Sequence, residues 1–328
     1  MSRTDALPDA PPGGDENEDD TGDRWSRRRV LSVGLGSLAG LAVAATVGIE
    51  LVSHGVVPGK EVLDQLDGAC SVGAPPLRFQ APGVSRAGSF FSRARGRQVG
   101  YTLAWPPGRH PGDPLPLVVM LHGFGANHTN ALTAMSPAQA VALEVAGVPL
   151  PPMAMVTVDG GGGYWNPHPG DDPMQMVVGE LIPLCQRLNL GRPPQGIGSM
   201  GISMGGYGAV LLAEKHPEVF GAVAAISPAI WTTYEQARSA NQGAYASAAD
   251  FASDDAVTHA GALAHTRVRV ASGTDDPFHP GVVALARALP SSAVLDFSQG
   301  CHTGAFFTAQ ESPSLAFLGA HLSARTAS

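Results

Sequence analysis

The stretch QGIGSMGISMGGYGAVLLAEK, residues 195–215, decides how the rest of the chain is read. Gln195–Ile202 has strand character, and Gly205–Lys215 reads as a Gly/Ala-rich helix. Between them, Gly201-Ile202-Ser203-Met204-Gly205 forms a G-x-S-x-G pattern. At a strand-to-helix junction, small residues two before and two after a serine allow a strained turn that lifts the hydroxyl out of the sheet. Such a pattern arises by chance in a chain with 41 glycines, so the flanking strand and helix carry the reading.

Outward from this point the chain alternates strand and helix. Phe90–Arg95 and Gln98–Trp105 flank Gly96 as an opening hairpin. Leu115–Leu121 is an unbroken apolar run, as a parallel strand covered on both faces requires. The pattern then predicts a helix over Asn130–Ala146, a strand over Met153–Val158 and a helix over Met174–Leu188. Beyond the central stretch it predicts strands at Phe220–Ile226, Val268–Ala271 and Ala293–Phe297, with a helix at Gly281–Leu289. This alternation implies an α/β domain over residues 89–322, with one doubly wound, mostly parallel central sheet and helices on both faces. Residues 232–266 break the rhythm and read as an insert of helices or a small cap; residues 50–88 are a Pro/Gly-rich approach segment.

Composition narrows the function. With 44% hydrophobic and 15% charged residues, the 328-residue chain can bury a large core. A formal charge of −8, with no basic cluster beyond Arg27-Arg28-Arg29, excludes a protein that coats nucleic acid. HExxH, CxxC and Walker patterns are absent from the sequence.

A serine at its ordinary pKa is a poor nucleophile, so the elbow reading demands a base and an acid that orients it. In this architecture both belong at the C-terminal ends of later strands, in the order Ser, acid, His. The strand RVRVAS ends in Gly273-Thr274-Asp275-Asp276-Pro277, and AVLDFS ends in Gly300-Cys301-His302-Thr303-Gly304. His302 is the base. Adjacent side chains diverge, so one of Asp275 and Asp276 faces it, with Asp276 preferred. Two backbone N–H groups must meet the developing oxyanion. One is that of Met204; the other comes from Leu121-His122-Gly123-Phe124-Gly125, where Phe124 is the candidate and His122 a structural brace.

These residues carry a family resemblance. Glu180-Leu181-Ile182-Pro183, Gly201–Ala209, His216-Pro217 with Phe220, and Ser227-Pro228-Ala229-Ile230-Trp231 resemble the putative esterase family of the α/β-hydrolase superfamily. That group includes esterase D, secreted feruloyl and acetyl-xylan esterases, and the antigen 85 mycolyltransferases. The resemblance implies an α/β-hydrolase fold and a serine carboxylesterase acting through Ser203, Asp276 and His302, with no metal or organic cofactor. A small-molecule, lipid or polysaccharide ester is the expected substrate. Acyl transfer with the same triad, or an idle surface-binding protein on the same scaffold, are the competing expectations.

Tyr164 and Trp165, after the glycine run Gly160–Gly163, and Trp231 are expected to wall the substrate site; core packing is the other reading for Trp231. In an exported chain Cys70 and Cys301 could pair, with Cys185 free on a helix face.

Residues 1–24 are acidic and polar, with nothing to bury. Residues 25–49 hold Ser26-Arg27-Arg28-Arg29-Val30-Leu31 and then an uncharged run to Ile49, which resembles a twin-arginine (Tat) export signal. The run is also long enough to span a bilayer. Delivery by the Tat machinery is therefore expected, to the exterior or to the outer face of the cytoplasmic membrane. Changing Arg27 and Arg28 together to Lys should retain the protein in the cytoplasm, as fractionation would show. Arg28 and Arg29 should be changed in a separate variant, and normal delivery of both would remove the export reading.

Overall fold

Successive side chains of a strand leave the sheet on opposite faces, so a strand without polar positions needs cover on both. Leu117–Leu121 is such a strand in the computed structural model, which describes residues 70–73 and 76–323. Val119 and Leu121 join a core that includes Leu181, Tyr207 and Leu211. Val118 and Met120 join the opposite one, with Leu315, Leu318 and Leu322. The acidic leader, the twin-arginine segment and the approach segment up to residue 69 lie outside the described residues.

The main sheet has eight strands: β1 Ser85–Ser92, β2 Arg97–Ala104, β3 Leu117–Leu121, β4 Ala154–Val158, β5 Ile197–Ile202, β6 Phe220–Ile226, β7 Arg267–Gly273 and β8 Val294–Ser298. Their spatial order is β8-β7-β6-β5-β3-β4-β2-β1. The six from β8 to β4 are parallel, and the hairpin β1–β2 closes one edge antiparallel. The strand order reverses between β3 and β5, which opens a crevice at their C-terminal ends, where α/β sheets carry their sites.

Two expectations about helices need revision. Asn130–Ala146 is not a helix: only Pro137–Ala140 is helical, and Leu143–Val145 pairs with Arg78–Phe79 and Val148–Pro149 in a small antiparallel sheet. The cause lies far away in sequence. The buried Glu311 carboxylate accepts the Thr133 and Ala134 N–H groups, and a turn with positive φ at Ala146 and Gly147 reverses the chain. The second revision is Gly304–Ser323, a long helix that the sequence pattern left unassigned. Met174–Leu188 is helical as expected, with a π-turn over Val177–Leu181 just ahead of Pro183, which has no N–H to give. The insert forms the short helices Tyr234–Ala240, Ala248–Ser253 and Ala256–His259.

Cys70 and Cys301 form a disulfide across 231 positions of sequence. Cys185 is free and buried, and burial pushes its thiol up to about 12. Among the described residues no helix is long and apolar enough to cross a membrane.

Helix Met204–Lys215 is buried along nearly its whole length and includes a buried acid. Glu214 is 5% exposed, and neither carboxylate oxygen has a hydrogen-bond partner among the described residues. Burial, helped by repulsion from Asp255, pushes its pKa from 4.5 to about 9. The folded state therefore binds a proton that the unfolded state releases, so this group's contribution to stability falls as pH rises from about 4.5 to about 9. Glu214→Gln should melt like the parent at pH 4 and at least about 5 °C higher at pH 9. Parallel melting curves across that range would contradict the assignment.

Candidate active site

Ser203 sits between β5 and helix Met204–Lys215 with φ 56° and ψ −120°, a left-handed conformation that costs a non-glycine residue about 1–3 kcal/mol. Three hydrogen bonds hold it there. Its N–H donates to the Ile226 carbonyl at 2.9 Å, and its own carbonyl accepts from Tyr207 and Ala229, both at 3.0 Å. The flanking glycines are required by contact. A Cβ on Gly201 would lie 2.0 Å from the Gly205 carbonyl oxygen, and one on Gly205 would lie 2.0 Å from that of Leu121.

The loops after β7 and β8 are bonded to each other. The Thr274 N–H donates to Ser298 and the Asp275 N–H to Gly300, each at 3.0 Å. A Cβ on Gly273 would strike the Gly300 carbonyl at 2.2 Å. This pairing brings His302 between Asp276 and Ser203. His302 Nδ1 lies 2.8 Å from Asp276 Oδ2, and Nε2 lies 2.8 Å from Ser203 Oγ. Because a carboxylate oxygen only accepts, Nδ1 carries the proton and Nε2 is left to accept from the serine hydroxyl. The other Asp276 oxygen accepts the Phe278 N–H at 2.8 Å. Asp275 accepts from Thr274 Oγ1 at 3.1 Å. Phe278 and Phe307 flank the imidazole, with ring centroids 5.0 and 4.9 Å away.

Met204 is the first residue of its helix, so its N–H has no partner within the helix. The Phe124 N–H donates to no acceptor among the described residues. Gly123, Phe124, Ser203 and His302 share a cavity of 520 Å³, whose apolar wall is Ala126, Ala131, Leu132, Ile202 and Phe307. Among the described residues no cluster of His, Cys, Asp or Glu could hold a metal ion.

The expected aromatic wall needs correction. Trp165 is fully buried, and its indole rests against Gly160 and Gly208, each of which would clash with it if it carried a Cβ. Tyr164 is 6% exposed and packs among Tyr207, Trp231 and Tyr245. Both have positive φ, 58° and 61°, which turns the chain inward after the glycine run. Trp231 is half-buried and lines a different cavity of 580 Å³, separated from His302 by Phe278, which it meets edge-on at 4.6 Å. Three apolar residues of the Ser203 cavity carry no signal in the sequence. Ala131 and Leu132 lay in a segment taken for a helix, and Phe307 in the unassigned helix just past His302.

The family model described as Putative esterase matches residues 92–288. Solved structures share the fold. A ferulic acid esterase is 17% identical, with a TM-score of 0.58, over 72% of this chain and 98% of its own. The S-formylglutathione hydrolase of Agrobacterium tumefaciens is 18% identical, with a TM-score of 0.59, over 75% and 98%. The fluorophosphonate-binding serine hydrolase F of Staphylococcus aureus is 14% identical, with a TM-score of 0.57, over 73% and 99%. No curated protein matches the chain in sequence.

The two neighbouring carboxylates give a sharp test. Asp276→Asn should lower ester turnover about 10⁴-fold with little change in melting temperature, because the wrong histidine tautomer is then favoured. Asp275→Asn should stay within about tenfold, a barrier change of about 1.4 kcal/mol. The opposite ranking in a steady-state assay would give the role to Asp275.

Proposed function

We propose that this chain, which belongs to the Putative esterase family, is an exported serine carboxylesterase that works through an acyl-enzyme on Ser203. The observation that carries the reading is the unbroken relay from Asp276 through His302 to Ser203 Oγ, 2.8 Å at each step, opening on the 520 Å³ cavity. His302 Nε2 takes the hydroxyl proton as Oγ attacks the ester carbonyl, and Asp276 stabilises the imidazolium that forms. The Met204 and Phe124 N–H groups receive the oxyanion. The alcohol leaves with the proton from His302, and water activated by the same nitrogen then releases the acid.

The cavity supports an apolar acyl group. Its walls are mostly aliphatic and aromatic, and the Phe124 ring stands 65% exposed at its rim. Export is supported by the twin-arginine segment and, separately, by the Cys70–Cys301 disulfide, since such bonds persist in oxidising compartments.

Ser203→Ala should fold normally and lose at least about 10³-fold in turnover of p-nitrophenyl esters. In the parent enzyme kcat/KM should rise from acetate through longer acyl chains, by up to about fourfold per added methylene, until the cavity is filled. Near-parental turnover by Ser203→Ala would sink the mechanism. Partitioning of the acyl group to an added sugar hydroxyl in preference to water would make the enzyme a transferase using the same residues.

A further inference from the structure

We propose that His122 is a positioning residue that aims the Phe124 N–H at the reacting carbonyl by holding the other end of the same peptide unit, an inference that rests on the esterase reading above. A peptide is planar, and its C=O and N–H point in opposite directions, so fixing one fixes the other. The peptide between Gly123 and Phe124 carries the Gly123 carbonyl and the Phe124 N–H. His122 Nδ1 lies 2.8 Å from that carbonyl oxygen, which also accepts the Ala126 N–H at 3.2 Å. With its oxygen tied down in this way, the unit presents an unoccupied N–H from a residue that lines the Ser203 cavity.

The state of His122 is dictated by its partners. The Gly123 carbonyl can only accept, so Nδ1 bears the proton; the Gly160 N–H donates to Nε2 at 2.9 Å, so Nε2 must be bare. The ring is therefore a neutral Nδ1–H imidazole joining the loops after β3 and β4. It is 1% exposed and packs 5.2 Å from the Trp165 ring, whose Nε1 donates to the His122 carbonyl at 3.3 Å. Burial keeps it neutral, against the opposing pull of the Gly123 bond and Asp159, with Arg95 and His128 adding to the burial effect. This gives a role to Trp165, which follows the glycine run and is fully buried. It backs the imidazole that orients the oxyanion donor.

A brace that merely stabilised the fold would affect melting temperature and leave the chemical step alone. Two variants separate the roles, because Asn places its amide nitrogen where Nδ1 lies and Gln reaches the position of Nε2. His122→Asn should keep kcat for a p-nitrophenyl ester within about tenfold, since the Gly123 bond survives. His122→Gln keeps a partner for Gly160 but releases Gly123, and should lose about 10²-fold or more in kcat with KM within about threefold. Inhibition by an alkyl boronic acid, which forms a tetrahedral adduct, should weaken in step with kcat in the Gln variant. The proposal is overturned if Gln retains kcat, or if a folded Asn variant loses it as severely as Gln. If Gln fails to fold, the Asn variant alone decides, because a hundredfold loss there with a parental melting temperature contradicts the proposal. Failure of the underlying reading is recognised separately: the parent protein would turn over no ester, and a fluorophosphonate would leave Ser203 unlabelled.

Discussion

The site depends on keeping one serine in a backbone conformation that serine resists. At φ 56° and ψ −120°, Ser203 costs the fold about 1–3 kcal/mol, and the return is a hydroxyl standing clear of the sheet. One of its three restraints is local and two come from distant sequence. The restraint comes from β6 through Ile226, from the turn beyond it through Ala229, and from the helix through Tyr207. Gly201 and Gly205 let the helix close to backbone contact with β5 and with the end of β3. A side chain at Gly201 would push the helix off β5, and one at Gly205 would push it off the end of β3.

The base and its acid are fixed by a second framework on the other side of the crevice. Arg269 on β7 is buried and bonds Asp296 on β8 at 3.0 Å, and Gln310 and Ser314 on the last helix at 2.7 and 3.0 Å. One guanidinium thus ties together the strand that leads to Asp276, the strand that leads to His302 and the helix that follows His302. Glu311, one residue from Gln310, reaches the opposite way to the Thr133 and Ala134 N–H groups beside the Ser203 cavity. Burial raises its pKa from 4.5 to about 7, with those backbone bonds resisting the shift. The disulfide adds an anchor at Cys301, adjacent to His302.

How much of this was legible in the sequence follows from the range of the forces involved. The elbow was legible because its constraint is local: glycine two residues to either side of a serine, between a strand and a helix. β6 was readable to the residue, Phe220–Ile226, because the whole strand is apolar, as a parallel strand covered on both faces favours. Asp276 and His302 could be found because strand ends in an α/β sheet have a fixed meaning. The segment after β3 was misread because its periodicity suits a helix, while a carboxylate about 178 positions later takes its N–H groups. The last helix contains Pro313, which argues locally against a helix, yet its Leu315, Leu318 and Leu322 join the core on one face of the sheet.

Tyr164 and Trp165 show most clearly where residue type misleads. Two aromatics after a glycine run at a strand end look like a substrate wall. Two successive left-handed residues reverse the direction of their side chains, and glycines at 160 and 208 leave a slot with the shape of an indole. The aromatic surface then serves the site from behind, through His122. The Ser203 cavity is left to small aliphatic residues and to Phe124 and Phe307. The division has a physical basis. A large rigid ring is worth most where it can be enclosed on all sides, and a ring enclosed behind a loop fixes that loop at little conformational cost. A cavity that must admit and release substrate is better lined by small side chains, with rings confined to its rim at Phe124 and to the flank of His302 at Phe307.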